Sequence, residues 1–281
     1  MNDSETTRAS ATLLVQRPEG AIAYDTAGDG PLIVCVPGMG DLRSSYRFLA
    51  PELAAAGFRV VTADLRGHGD SDASFSSYGD EQTADDISAL VEHLGGPAII
   101  VGNSMAAGAA VLVAADQPQL VSGLVLTGPF VRNPQVSPVA GLLTTAMMRV
   151  LMARPWAASV WKAYLPSLTA GTRPADFEEY RTALVAAMRR PGYTRAFSLT
   201  TRLSHAAAEA ALPRVSTPAL VVMGERDPDF RNQEAEARWI GDHLDADVLM
   251  VPDAGHYPQS QRPDVVTPAV ITFARSVAHR A

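Results

Sequence analysis

A short β-branched run that breaks abruptly into an alanine-rich segment constrains this chain more than any other feature. Residues 97–112 read Pro-Ala-Ile-Ile-Val-Gly-Asn-Ser-Met-Ala-Ala-Gly-Ala-Ala-Val-Leu. Ile99 to Val101 carry the side chains of a buried strand, and Met105 to Ala115 are dominated by strong helix formers. The two can meet only across a tight turn, Gly102-Asn103-Ser104-Met105-Ala106. A serine at the tip of such a turn projects its hydroxyl past the strand end, in a strained backbone conformation that small neighbours permit. Just behind it, the first amides of the new helix have no intrahelical acceptor and can stabilise an oxyanion. A glycine-rich turn of an ordinary doubly wound protein has the same outline, so the rest of the chain decides.

Strand candidates follow one another in a regular order. Thr12 to Gln16 and Ala21 to Tyr24 flank Arg17-Pro18-Glu19-Gly20, a turn signal that predicts an antiparallel hairpin. Pro31 to Val36, Arg59 to Ala63, Leu120 to Thr127, Pro218 to Met223 and Val248 to Val251 are apolar runs of the kind buried on both faces. Helical spacing appears over Ser44 to Ala56, Glu81 to Leu94, Asn232 to His243 and about Pro263 to Ala278. This order predicts an α/β chain with a mostly parallel sheet and helices on both faces.

From about residue 131 the strand pattern stops, and it resumes near 216. Prolines 134, 138, 155, 166, 174 and 191 divide helical candidates at Leu142 to Ala153, Phe177 to Arg189 and Pro191 to Leu203. The expected organisation is a core of residues 11–130 and 214–281, with 131–213 inserted as a helical cap over the carboxyl ends of the strands. An open α/β sheet binds its ligand at that edge.

Composition narrows the class. At 47% hydrophobic and 19% charged, 281 residues suffice for one large globular domain with an insertion. A net charge of −7 argues against a nucleic-acid partner, and Lys162 is the one lysine among 23 basic residues, with no basic cluster. Cys35 is the single cysteine and lies in an apolar run, so no disulfide framework or cysteine metal site is expected. Residues 1 to about 10 form a polar tail without an apolar core, and no window approaches a membrane span. The expectation is a soluble cytoplasmic protein, monomer or homodimer, whose partner is a small-molecule substrate and not a membrane.

The turn at Ser104 resembles the nucleophile elbow G-x-S-x-G of the α/β-hydrolases, with Ala106 in place of the second glycine. Four further stretches extend the resemblance in order. Pro37-Gly38-Met39-Gly40-Asp41 stands where the family has His-Gly-x, and Asp64-Leu65-Arg66-Gly67-His68-Gly69-Asp70-Ser71 is close to its D-x-R-G-x-G-x-S loop. Gly224-Glu225-Arg226-Asp227 matches the acid loop G-x-x-D, and Gly255-His256 matches the base loop. The family's later E-x-P appears as Gln261-Arg262-Pro263, a change expected to lie outside the chemistry.

The resemblance implies an eight-stranded α/β-hydrolase fold with Ser104 as nucleophile, Asp227 as acid and His256 as base. It also implies an oxyanion hole from the backbone N–H groups of Met39 and Met105, and no metal or organic cofactor. Pro37 departs from the family's loop-shaping histidine, and Asp64 and Arg66 are left free to pair.

Chemistry supports the same residues. A serine hydroxyl needs a base in reach, and the base needs a partner that fixes its tautomer. Of the six histidines, His93 and His243 end helices, His205 lies near the end of the cap, His279 is in the tail and His68 is in the glycine loop. Only His256 sits in a loop beyond a strand with glycine before it, and Asp229 and Glu225 are neighbours of Asp227 in the acid loop.

The expected reaction is acyl transfer from a small to medium apolar ester or lactone. The cap contributes Leu142, Met147, Leu151, Trp161, Tyr164 and Met188 as core, and Met148, Met152, Trp156, Arg189 and Arg190, with Tyr257, as candidate substrate contacts. Gly102-Asn103-Ser104-Met105 also looks like the elbow of the meta-cleavage-product hydrolases, which split carbon–carbon bonds and hold the substrate with a cap arginine. A slow ligand receptor on the same fold is the third reading.

Overall fold

The computed structural model describes residues 12–135, 137–153 and 155–278, apart from the side chains of 138–142, 144 and 145. The tail before residue 11, His279 and the side chain of Leu142 lie outside the described residues.

Eight strands form one sheet: β1 (Leu13–Arg17), β2 (Gly20–Ala27), β3 (Leu32–Val36), β4 (Arg59–Ala63), β5 (Ala98–Asn103), β6 (Val121–Thr127), β7 (Ala219–Gly224) and β8 (Asp247–Val251). Their spatial order is β1-β2-β4-β3-β5-β6-β7-β8. The turn after Arg17 makes β1 and β2 an antiparallel hairpin, β2 runs antiparallel to β4, and the remaining pairs are parallel. This is the α/β-hydrolase fold.

Interleaved with the strands are α1 (Leu49–Ala55), α2 (Asp80–Leu94) and α3 (Met105–Asp116), then α4 (Pro138–Leu151), α5 (Ala157–Leu168), α6 (Phe177–Met188), α7 (Tyr193–Thr200) and α8 (Ala206–Ala211). After β7 come α9 (Gln233–Leu244), α10 (Pro258–Gln261) and α11 (Pro263–Ala278). None of the described helices is long and apolar enough to cross a membrane.

Strand periodicity divides the core. In β3 the side chains of Ile33 and Cys35 join α1 and α11 on one face, while Val34 and Val36 join α2 and α3 on the other. Each such branched or aliphatic side chain gains about 1.5–3 kcal/mol from burial. Helix α3 is buried on every side from Met105 to Ala114, which is why those residues are all apolar and mostly small. Cys35 is fully buried, and that burial pushes its thiol far above the usual range, so it is inert.

Two local expectations differ from the structure. The helix expected over Ser44 to Ala56 is a 3-10 turn (Arg43–Tyr46) followed by α1. Pro51 explains the break, because it has no N–H and its ring crowds the carbonyl of Arg47, four residues earlier. Helix α5 lies where Pro155 and Pro166 suggested breaks. Pro155 precedes it and Pro166 falls in its last turn, where the Thr169 hydroxyl donates to the carbonyls of Leu165 and Pro166.

Asp64 and Arg66 do not pair. Asp64 holds Arg43 and accepts from the backbone N–H of Asp70 at 2.9 Å, while Arg66 forks onto Asp86 at 2.7 and 2.8 Å. The glycine turn folds Asp70 back onto Asp64, and the two oxygens of Asp86 on α2 match the planar guanidinium better than one shared contact would.

Between β6 and β7 the described chain is helical. The indole N–H of Trp161 on α5 donates to Gly40 O at 2.7 Å, and the Tyr180 hydroxyl on α6 donates to Asp41. His256 N–H donates to Leu168 O at 2.7 Å. These bonds seat α5 and α6 on the loops that leave β3 and β8, at the carboxyl edge of the sheet.

Candidate active site

Strand β5 ends at Asn103 and α3 begins at Met105, so Ser104 alone reverses the chain, with φ 58° and ψ −124°. Such a conformation costs of order 1–3 kcal/mol in a residue with a Cβ and persists only where its surroundings fix it. Here Ser104 N–H donates to Thr127 O at 3.0 Å, and its own carbonyl accepts from Ala107 N and Phe130 N at 3.0 and 3.2 Å. Asn103, fully buried, donates from Nδ2 to Thr127 O at 2.9 Å and to His256 O at 3.1 Å. The strand that carries the serine is thereby tied to the histidine loop.

Parallel pairing places the second loop. Val36 of β3 lies opposite Gly102 of β5, so Pro37 to Asp41 leave the sheet beside the elbow. A Cβ on Gly38 would stand 2.6 Å from Ser104 Cβ, so Gly38 lies directly against the serine. Among the described residues, the N–H groups of Met39 and Met105 make no backbone hydrogen bond. Pro37 supplies no side-chain hydrogen bond to shape this loop. Asp41 N–H donates to Gly38 O at 3.3 Å, and Trp161 and Tyr180 grip it from the helices above.

Asp227 and His256 meet across the ends of β7 and β8. Asp227, with no exposed surface, accepts from Nδ1 of His256 at 2.7 Å through Oδ2, and its Oδ1 accepts from Asp229 N–H at 3.0 Å. Burial by itself would lower the imidazole pKa, but Asp227, and then Asp229 and Asp41, raise it to about 9. With Nδ1 donating to the carboxylate, Nε2 is the nitrogen that can accept a proton. Ser104 Oγ makes no hydrogen bond among the described residues, and contacts of this kind commonly tighten only when substrate binds.

The base loop is held by two features the sequence did not explain. A Cβ on Gly255 would lie 2.3 Å from Leu168 O, so only glycine lets the loop reach the end of α5. Gln261 accepts from the N–H groups of Gly255 and Tyr257 at 3.0 and 3.3 Å and donates to Ala170 O and Thr172 O at 3.0 and 2.7 Å. It braces the chain on both sides of His256 through backbone groups alone. Its only sequence signal was the altered E-x-P.

Of the candidate substrate contacts, Tyr257 is buried edge-on against His256, with ring centroids 5.2 Å apart. Met152 is buried in the helical cluster over the sheet, and Met148 packs against that cluster. Trp156 is 47% exposed, with its indole N–H on Val150 O. Arg189 is exposed beside Ser159 at 3.5 Å. Arg190 faces Asp70 at 3.6 Å, lies over the Tyr193 ring and lines a cleft of about 530 Å³ with Arg43 and Asp64.

Asp227, Asp229 and His256 are also the one group among the described residues whose donor atoms are spaced as metal ligands would be, all within 4.8 Å. Nδ1 of His256 is hydrogen-bonded to Asp227 at 2.7 Å and stands 3.6 Å from Asp229.

Residues 33–269 match the model of the alpha/beta hydrolase family. The chain is 26% identical over 249 residues to the 2-(acetamidomethylene)succinate hydrolase of Mesorhizobium japonicum, covering 88% of each chain. Among solved structures it resembles an esterase from Thermogutta terrifontis, with TM-score 0.79 and 25% identity over 96% of this chain and 100% of that one. It also shares its fold with the enol-lactonase of Burkholderia xenovorans, with TM-score 0.77 and 23% identity over 94% and 100%.

Proposed function

The chain belongs to the α/β hydrolase family, and within it we propose a serine hydrolase that cleaves a small to medium apolar ester or lactone through an acyl-enzyme. The observation that carries this reading is the buried 2.7 Å bond from His256 Nδ1 to Asp227, tied through Asn103 to a serine held at positive φ.

In the proposed reaction the ester carbonyl seats over Ser104, and Nε2 of His256 takes the hydroxyl proton as Oγ forms its bond to the carbonyl carbon. The carbonyl π electrons move onto oxygen, and the N–H groups of Met39 and Met105 donate hydrogen bonds to that oxyanion, each worth about 3 kcal/mol of barrier. The tetrahedral intermediate collapses as the imidazolium protonates the leaving alkoxide. Water, deprotonated by the same nitrogen, then releases the acid and restores Ser104.

An apolar acyl group is favoured by the half-buried Met39, Phe130 and Phe230 around the elbow, the last two with ring centroids 4.8 Å apart. The esterase activity named for the Thermogutta terrifontis protein supports the ester reading. Carbon–carbon cleavage has less support, since it calls for a cap arginine on the substrate, whereas Arg190, its Nη2 unpaired among the described residues, lines a cleft with Arg43 and Asp64 that includes none of Ser104, Asp227 and His256, and Arg189 is exposed beside Ser159.

The test is exposure to a fluorophosphonate, followed by mass analysis of the peptide containing Ser104. Phosphonylation of the wild type, lost in Ser104→Ala and in His256→Ala, is the expected result. A folded wild type that takes no label, and hydrolyses none of a panel of short and medium esters and lactones, moves the receptor reading to the front.

A further inference from the structure

The acid loop brings a second carboxylate to the base. Asp229 N–H donates to Asp227 Oδ1, and this fold-back turns both side chains toward the same edge of the imidazole. Asp227 Oδ2 takes the Nδ1 proton at 2.7 Å, and Asp229 Oδ2 stands at 3.6 Å from the same nitrogen, too far for a hydrogen bond and close enough for an ion pair. The Asp229 side chain is only 20% exposed. A carboxylate in such a place requires a donor, and it has one: the hydroxyl of Tyr164 on α5 donates to its Oδ1 at 2.5 Å.

We propose that Asp229 is a reserve acid for His256, held off Nδ1 by Tyr164 and able to take over the role of Asp227. This rests on the serine hydrolase reading and names a further positioning residue for that site. With Asp227 in place, Asp229 adds negative charge beside the imidazolium that forms when Ser104 is deprotonated. With Asp227 removed, its Oδ2 needs about 1 Å of movement, from 3.6 to 2.7 Å, to accept the Nδ1 proton. Tyr164 opposes that movement by holding the other oxygen. The titratable groups facing His256 are Asp227 and Asp229 from the acid loop, Asp41 from the loop after β3, Tyr164 from α5 and Tyr257 from its own loop. Of these carboxylates Asp41 is buried on Tyr180, so Asp229 is the one positioned to substitute.

The experiment compares Asp227→Ala, Asp229→Asn, Asp227→Ala/Asp229→Ala and Asp227→Ala/Tyr164→Phe on a chromogenic acetate ester, with kcat/KM followed against pH. Loss of the acid in a serine triad with no substitute costs of order 10⁴-fold. Asp227→Ala is expected to lose roughly 10²-fold, and the double alanine variant the full 10⁴. Removing the Tyr164 hydroxyl in the Asp227→Ala background is expected to restore activity, because Asp229 is then released toward Nδ1. A purely structural role for Tyr164 would lower it further.

Asp229→Asn alone is expected to keep KM and to move the kcat/KM midpoint down by about one pH unit. Equal activities of Asp227→Ala and the double alanine variant overturn the proposal, and so does a wild-type pH midpoint in Asp229→Asn. Should Asp227→Ala fail to fold, the Asp229→Asn midpoint decides alone. Fluorophosphonate labelling of the wild type keeps the two ideas apart: no label sinks the serine hydrolase reading, whereas normal label with unresponsive Asp229 variants sinks only this one.

Discussion

Replacing Gly38 by alanine adds one carbon where the structure leaves no room. The new Cβ would stand 2.6 Å from Ser104 Cβ and 3.2 Å from Ser104 Oγ and Asn103 Oδ1. Non-bonded carbons settle at about 3.5–4.0 Å, so roughly 1 Å of separation has to be found. Gly38 is not among the residues at positive φ, so its backbone accepts alanine and the penalty falls on the contact itself. The strands behind both residues are paired and buried on both faces, which leaves the serine as the part that moves. A nucleophile misplaced by about 1 Å loses on the order of 10²-fold in rate. That is about 2.7 kcal/mol of barrier. Overpacking itself costs typically 1–3 kcal/mol of stability, which the thermal midpoint reports separately. The assay is the second-order rate of fluorophosphonate labelling at Ser104 beside kcat/KM on an ester. Gly123→Ala serves as control, since its Cβ would meet the ring of Phe273 and the side chain of Val277 on α11. Labelling of Gly38→Ala at the wild-type rate would show that this loop does not press on the nucleophile. The Met39 amide would then lose its place in the oxyanion hole.

Four further outcomes follow from the same geometry. Because His256 must be neutral to act as base and its pKa is raised to about 9, kcat/KM should rise with pH toward a midpoint near that value, and a profile flat across the alkaline range would contradict the assignment. The same shift carries a stability sign: the folded imidazole holds its proton above the ordinary 6.5, so the stabilisation is complete below 6.5 and lost as pH rises through about 9. Thermal midpoints across that window should fall in the wild type and less in His256→Gln. Trp161→Phe removes the donor to Gly40 O, leaving a buried carbonyl unpaired at about 1–3 kcal/mol of stability by urea unfolding, with kcat reduced more than KM is changed. Arg66→Ala removes the fork from Asp86 and the donor from Ser77 O but leaves Arg17 Nε on Asp86 Oδ1 at 2.9 Å, so the cost is about 1–3 kcal/mol, and an unchanged urea midpoint would refute that.

The sheet was legible because its strands are buried runs bounded by glycine and proline. β4 and α11 occupy the expected residues, and the other strands shift by a few residues at their ends. The order of Ser104, Asp227 and His256 was legible because each stands at a strand end, where a short motif fixes the backbone. What escaped was polar and long-range. Asn103 reaches the carbonyl of His256 across 153 residues, and Gln261 reaches Ala170 across 91, and neither residue carries a local signal of such a partner. Asp64 and Arg66 sit two apart and invite pairing, yet each finds a better-shaped partner elsewhere once the glycine turn has formed.

The helices above the sheet show what residue type alone does not specify. Methionine and tryptophan suggested substrate contact, but Met152 is buried in the helical cluster and Trp156 is half in solvent. Three aromatics on these helices reach the candidate site through their polar tips: Trp161 on Gly40, Tyr164 on Asp229 and Tyr180 on Asp41. Each keeps its ring in or against the helical cluster and places one donor on a core loop, the use to which a buried Trp or Tyr is suited. Two of these donors, on α5, fall on opposite sides of the candidate chemistry, one on the oxyanion loop and one on the acid loop. The position of α5 therefore bears on both loops together.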